Sequence, residues 1–181
     1  NIIYYRDYAS YLKLKELSEN RDQFAVIGAG FIGSEIAAAL AMNDKKVTLI
    51  ESGAGIGWRV FPDEIVTYLN EYYLSHHVDV ITNTAVADIQ QAGERHRILF
   101  DSGKTLDVDG VVAGVGVKAN SDLADQAGLA VNDGIKVNSY LETSAPGIFA
   151  AGDVAAFYSP ALDKSVRVEH EDNAVMMGEI A

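Results

Sequence analysis

Residues 24–35 read Phe24-Ala25-Val26-Ile27-Gly28-Ala29-Gly30-Phe31-Ile32-Gly33-Ser34-Glu35. The opening apolar run has the length of a core strand, and the glycines fall in the spacing G-x-G-x-x-G. The residues that follow, Ile36-Ala37-Ala38-Ala39-Leu40-Ala41-Met42, are rich in good helix formers. This is a strand, a tight turn and a helix start. Gly28 lets the chain turn sharply as it leaves the strand, and Gly33 lets the helix pack close to the sheet. Gly30 removes a side chain where a pyrophosphate would approach the backbone of Ala29, Phe31 and Ile32. The unpaired N–H groups and positive dipole end of the helix face the same point. A second strand, Val47-Thr48-Leu49-Ile50, ends on Glu51 with Ser52 behind it, about twenty residues on. A carboxylate there accepts hydrogen bonds from the hydroxyls of an adenosine ribose.

The spacing therefore predicts a dinucleotide site in which Glu51 favours NAD(H) over NADP(H), because a carboxylate repels a 2′-phosphate. Arg59 in the following glycine-rich loop could reach such a phosphate, but a single arginine beside an acid leaves NAD(H) preferred. Glu35 lies one turn into the helix, where an acid suits the dipole with or without a ligand.

Outward from this motif, the 181 residues carry a net charge of −12 and no cysteine. The acidity argues against nucleic-acid binding, which needs a basic face. Without cysteine there is no disulfide or thiolate metal site, and His76, His77 and His96 form no ligand spacing, so no metal is expected. No apolar run approaches a membrane span and no signal peptide opens the chain, which leads us to expect a cytoplasmic protein. Neither end reads as a natural terminus, and the sequence is expected to be a piece of a longer protein.

The pattern predicts an amphipathic helix over 7–20, packed through Tyr8, Tyr11, Leu12, Leu14 and Leu17. Pro62 opens a helix buried through Ile65, Leu69, Tyr72 and Tyr73, and a third strand spans 78–81. Short alternating strands over 85–91, 96–101 and 104–107 suit an antiparallel meander, and 110–116 returns as a buried strand. A helix over 122–127, strands over 135–137 and 148–151, a helix after Asp153 and a last helix over 172–181 complete the reading. The fold class expected is α/β: a Rossmann-like three-layer dinucleotide-binding fold with an antiparallel β-meander insertion.

Several segments resemble the pyridine nucleotide–disulfide oxidoreductase superfamily of two-dinucleotide flavoproteins. The glycine motif with Glu35 is similar to that family's NAD(P) site, and the resemblance puts Glu35 at the nicotinamide end. Gly114-Val115-Gly116-Val117-Lys118-Ala119-Asn120 is similar to the strand end beneath the bound nicotinamide nucleotide. Thr143-Ser144-Ala145-Pro146-Gly147-Ile148-Phe149-Ala150-Ala151-Gly152-Asp153 resembles the second flavin motif, in which the aspartate holds the ribityl chain. Arg167-Val168-Glu169-His170-Glu171-Asp172-Asn173-Ala174 resembles the ferredoxin-reductase-like and apoptosis-inducing-factor-like branch, where this stretch lies beside the flavin ring and the nicotinamide. The first flavin motif and the C-terminal interface domain of that family are missing.

The resemblance implies an NAD(P)H-binding part of an FAD-dependent oxidoreductase, with FAD held by the full-length protein. Electrons pass on to a small electron-transfer protein, a disulfide or a small acceptor, and a homodimer is compatible with this. No side chain need serve as general acid or base, so none is singled out as catalytic. On this reading residues 1–20 lead in from the flavin side, 21–140 form the NAD(H)-binding domain, and 141–181 return to the flavin domain. A non-catalytic binding or signalling module of the apoptosis-inducing-factor type is the alternative, weakened by the acidity. An S-adenosylmethionine methyltransferase shares the glycine turn and the acid but has no use for the segment 143–153.

Overall fold

A computed structural model describes residues 2–181. The chain divides into two compact units, one ending at Gly116 and one spanning Val117–Ala181. In chain order the first holds β1 (Ile2–Tyr4), α1 (Tyr8–Asn20), β2 (Gln23–Ile27), α2 (Phe31–Met42), β3 (Lys46–Ile50), α3 (Asp63–Ser75) and β4 (Val78–Ile81). It continues with β5 (Val86–Ala92), β6 (Arg95–Phe100), β7 (Thr105–Val108) and β8 (Gly110–Ala113). Five strands make a parallel sheet in the order β1-β8-β2-β3-β4, and β5-β6-β7 make a separate antiparallel meander.

Strand alternation explains the three layers. Phe24, Val26, Val47, Leu49 and Val112 point to one face, where they pack with Leu14 of α1 and with Ala37 and Leu40 of α2. Their neighbours Ala25, Ile50 and Val111 point to the other and meet Ile98, Phe100 and Val108 of the meander. Central strands buried on both faces must read as continuous apolar runs, and Phe24-Ala25-Val26 does. Each large side chain so buried contributes about 1.5–3 kcal/mol.

The register places the site. Ile27 lies opposite Ala113 on one side and Ile50 on the other, and Ile50 lies opposite Ile81. The carboxyl ends of four strands are therefore flush, and Gly28, Glu51 and Gly114 leave the sheet along one edge. Their amides close that edge: Gly28 donates to Ile50 O, Glu51 to Ile81 O and Gly114 to Ile27 O, each at 2.8 Å.

The second unit holds α4 (Asp122–Gln126), β9 (Val131–Asn132), β10 (Gly134–Lys136), a 3₁₀ turn (Gly152–Val154), β11 (Ala155–Ser159), β12 (Lys164–Arg167) and α5 (Glu171–Ile180). Its sheet runs β12-β11-β10-β9, with β10 and β11 parallel and the outer pairs antiparallel. Leu141, Ala150, Ala155 and Met177 form its core. No helix among the described residues is long and apolar enough to cross a membrane.

Several expectations need correction. Within the expected lead-in, β1 pairs in parallel with β8 and belongs to the central sheet. The two compact units part between Gly116 and Val117. In α1 only Leu14 is fully buried, with Leu17 packed beside it, while Tyr8, Tyr11 and Leu12 are exposed. At 3.6 residues per turn, Tyr8 and Leu12 fall on the side of the helix opposite Leu14 and Leu17. In α3 the buried residue is Val66, supported by Leu69 and Tyr73 at i+3 and i+7, and Ile65 and Tyr72 face outward. Beyond Ala113 the chain leaves the strand expected to run to residue 116.

Residues 148–151 form no strand. Thr143 N–H donates to Ile148 O and Ala150 N–H to Leu141 O, so this stretch folds back on 141–143 around Gly147, with one isolated bridge between Glu142 and Phe149. The chain after Asp153 forms strand rather than the expected helix. Ala155 and Ala156 are good helix formers, but pairing on both sides, with β10 and β12, overrides that preference.

Candidate functional site

Three glycines at the flush edge have different causes. Gly28 has φ +92°, and a Cβ there would lie 2.4 Å from the carbonyl oxygen of Gly114. A Cβ at Gly33 would lie 1.8 Å from the carbonyl oxygen of Gly28. Both are fixed by the packing of α2 on β2 and β8. Gly30 is not: its φ of −74° and ψ of −170° suit any residue, and a Cβ there would meet nothing within 4 Å. No side chain caps α2 at Gly30, and the first bond of the helix runs from Ser34 N–H to Gly30 O at 2.9 Å. The amides of Phe31, Ile32 and Gly33 precede that bond at the positive end of a three-turn helix. A glycine the chain does not need, opening on a helix N-terminus, fits a ligand whose oxygens must come close to the backbone.

Beside this turn, Glu51 is buried, with 8% of its surface exposed. Its Oε2 accepts from Ala29 N–H at 2.8 Å, and its Oε1 from Gly53 N–H at 3.0 Å, Ser52 Oγ at 3.1 Å and Trp58 Nε1–H at 3.2 Å. Burial pushes this carboxyl up, but the four hydrogen bonds outweigh it and hold it below the usual glutamate range. The charge is therefore kept, and Glu51 makes no ion pair among the described residues.

The loop over 52–61 is tied down between Ala54 and Gly57. Gly57 N–H donates to Ala29 O at 2.9 Å, Ile56 N–H donates to Asn70 Oδ1 at 3.0 Å, and Asn70 Nδ2 donates to Ala54 O at 3.0 Å. Arg59 lies with its guanidinium carbon 5.2 Å from the Trp58 ring centroid, stacked as a cation on an aromatic face. Sequence reasoning missed Trp58 and Asn70. The signal for Trp58 was available: it is the single tryptophan of the chain and sits in the glycine-rich loop after Glu51.

Gly28, Ala29, Gly33, Glu51, Ser52 and Gly114 are thus brought together. Glu35 is exposed on α2, and Tyr73 Oη donates to the carbonyl of its neighbour Ser34 at 3.2 Å. Val115 and Gly116 are exposed beyond the end of β8.

The remaining candidates lie in the second unit. Gly152 is buried at φ +73°, with its N–H 3.4 Å from Met177 Sδ. Asp153 is exposed on the 3₁₀ turn, and its carbonyl oxygen accepts from Arg167 Nη1 at 3.0 Å. Arg167, with only 11% of its side chain exposed, also pairs with Asp133 at 3.1 Å and Glu169 at 2.5 Å. Glu169 is therefore committed to an arginine rather than to His170. The His170 Nδ1 accepts from Asp172 N–H at 3.2 Å and caps α5.

A family model described as pyridine nucleotide-disulphide oxidoreductase matches residues 1–178. Putidaredoxin reductase CamA of Pseudomonas putida is 34% identical over 170 residues, covering 92% of this chain and 40% of the relative. The crystal structure of a ferredoxin reductase for the CYP199A2 system from Rhodopseudomonas palustris superposes with a TM-score of 0.91 at 34% identity, over 95% of this chain and 43% of that one. A water-forming NADH oxidase from Lactobacillus brevis, bound to NADH, also superposes with a TM-score of 0.91, at 26% identity over 99% of this chain and 40% of that one. The chain spans about two fifths of the length of the curated relatives it matches.

Proposed function

The chain belongs to the pyridine nucleotide-disulphide oxidoreductase family, and on that premise we propose that it is the NADH-binding part of an FAD-dependent oxidoreductase. The observation that carries the reading is Gly30, a glycine required by neither backbone conformation nor packing, at the N-terminus of α2. Its missing side chain lets a pyrophosphate reach the amides of Phe31 and Ile32. Glu51 takes the ribose hydroxyls and, with no ion pair among the described residues, repels a 2′-phosphate. Arg59 supports the same preference, since its charge lies on Trp58. Likeness to an oxidase bound to NADH supports a nicotinamide dinucleotide as the ligand.

NADH, when bound, supplies the hydride that reduces the flavin. The chain's own residues bind, orient and exclude. Gly114, Val115 and Gly116 line the approach to the nicotinamide end, with Glu35 on α2 facing the same end. Residues 21–140 are assigned to the nucleotide side and 141–181 to the flavin side. There Asp153 serves the ribityl chain, and Glu169 and His170 lie beside the ring. The electron acceptor is a small redox protein, a reading supported by the likeness to putidaredoxin reductase.

Calorimetric titration with NADH and NADPH tests the proposal. NADH is expected to bind about tenfold or more tighter, a gap of about 1.4 kcal/mol or more. Gly30→Ala should weaken NADH while leaving the thermal midpoint nearly unchanged. Equal binding of NADPH, or Gly30→Ala without effect on affinity, overturns it.

A further inference from the structure

We propose that Trp58 is a displaceable stand-in for the ribose on Glu51 and a specificity-determining residue of this site. This rests on the reading that Glu51 receives ribose hydroxyls. A carboxylate oxygen offers two lone pairs, yet Oε1 of Glu51 faces three donors: Gly53 N–H, Ser52 Oγ and Trp58 Nε1–H. That oxygen is over-subscribed, and the indole bond, at 3.2 Å, is the longest of the three. Backbone amides cannot leave without unmaking the turn. The Ser52 hydroxyl can rotate to another acceptor. Trp58 must give up its bond for a new donor to arrive.

The seat for the indole is built. A Cβ at Gly53 would lie 2.2 Å from the Trp58 ring, and Gly53 has no left-handed backbone to explain the glycine. Gly53 is therefore open so that the ring can lie on it. Trp58 is nonetheless 40% exposed, with Arg59 stacked over its ring. The arrangement satisfies a buried carboxylate in the free protein and yields to a ligand with two vicinal hydroxyls. A ribose bearing a 2′-phosphate offers one hydroxyl fewer and brings negative charge, so it lacks the donors that displace the indole.

Because the chain has a single tryptophan, its emission reports on this residue alone. Titration with ADP-ribose, which lacks the nicotinamide, should shift the emission to the red with saturation. The 2′-phosphorylated analogue should give little or no shift at the same concentrations. Trp58→Phe keeps a ring on Gly53 but removes the N–H. It should bind ADP-ribose about 3- to 10-fold tighter by calorimetry, because one competing donor is gone. An unchanged melting midpoint shows that the variant is folded. Calorimetric binding of ADP-ribose without an emission shift overturns the inference and leaves the nucleotide site standing, as does equal or weaker binding by Trp58→Phe. If neither protein binds ADP-ribose, the nucleotide reading itself fails and this inference falls with it.

Discussion

Glu51 in the first unit and Arg167 in the second are both charged groups largely withdrawn from water, and they are treated in opposite ways. Glu51 is held by four neutral donors, two of them backbone amides, so its full negative charge survives at the sheet edge. Arg167 is held by the carboxylates of Asp133 and Glu169 and by the carbonyl of Asp153, so its charge is cancelled locally. A charge stabilised by dipoles remains available to discriminate between ligands. A charge stabilised by opposite charge is spent on holding a turn and a strand end together. On the proposed function, the first region selects and the second positions.

The largest effect should come from breaking the scaffold of the first region. Gly33→Ala places a methyl against the Gly28 carbonyl and should lower unfolding free energy by about 3 kcal/mol in urea titration. Next, Glu51→Gln turns an amide N–H₂ towards one of the buried amides, and should cost about 2 kcal/mol while abolishing the preference for NADH. Unchanged discrimination would place selection elsewhere.

The pH dependence sharpens the same point. The Glu51 carboxyl is held below its usual value near 4.5, so its contribution to stability is complete above that value and is lost as pH falls through the lowered one. Urea midpoints measured from about pH 7 to about pH 3 should show the gap between the native chain and Glu51→Gln closing only in the acid range.

A smaller effect belongs to the second region. Arg167→Met should cost about 1 kcal/mol once solvent screening of the exposed Asp133 is counted. Removing a cancelling cation leaves two like charges behind, so added salt should reduce that loss, whereas the Glu51→Gln loss should be insensitive to salt. The smallest effect is that of Arg97→Ala, which removes an exposed bidentate pair with Asp107 on the meander and should leave the midpoint within error.

What could be read from the sequence follows this division. Gly28, Gly33 and Glu51 were legible because each answers a demand of local geometry: a turn, a close helix approach, the end of a strand. The meander was legible from its alternation. Arg167 was quoted in a motif, but its partners lie 34 and 2 residues away, and no local pattern announces that one guanidinium joins them. The strand Ala155–Ser159 was hidden for the same reason, since pairing rather than propensity decides it. Trp58 stands beside Glu51, yet its bond depends on how residues 52–61 fold back, which composition does not reveal.

Ala29 deserves a last consequence. Its N–H is given to Glu51 and its carbonyl receives Gly57, so a single residue links the glycine turn to the loop over 52–61. Substitutions in the two segments will therefore be non-additive. A double-mutant cycle between Gly30 and Trp58 should carry a measurable interaction energy. If the proposed function holds, redesigning residues 52–61 to accept another ribose would retune the grip on the phosphates as well, so preference and affinity at this edge would form a single adjustable quantity.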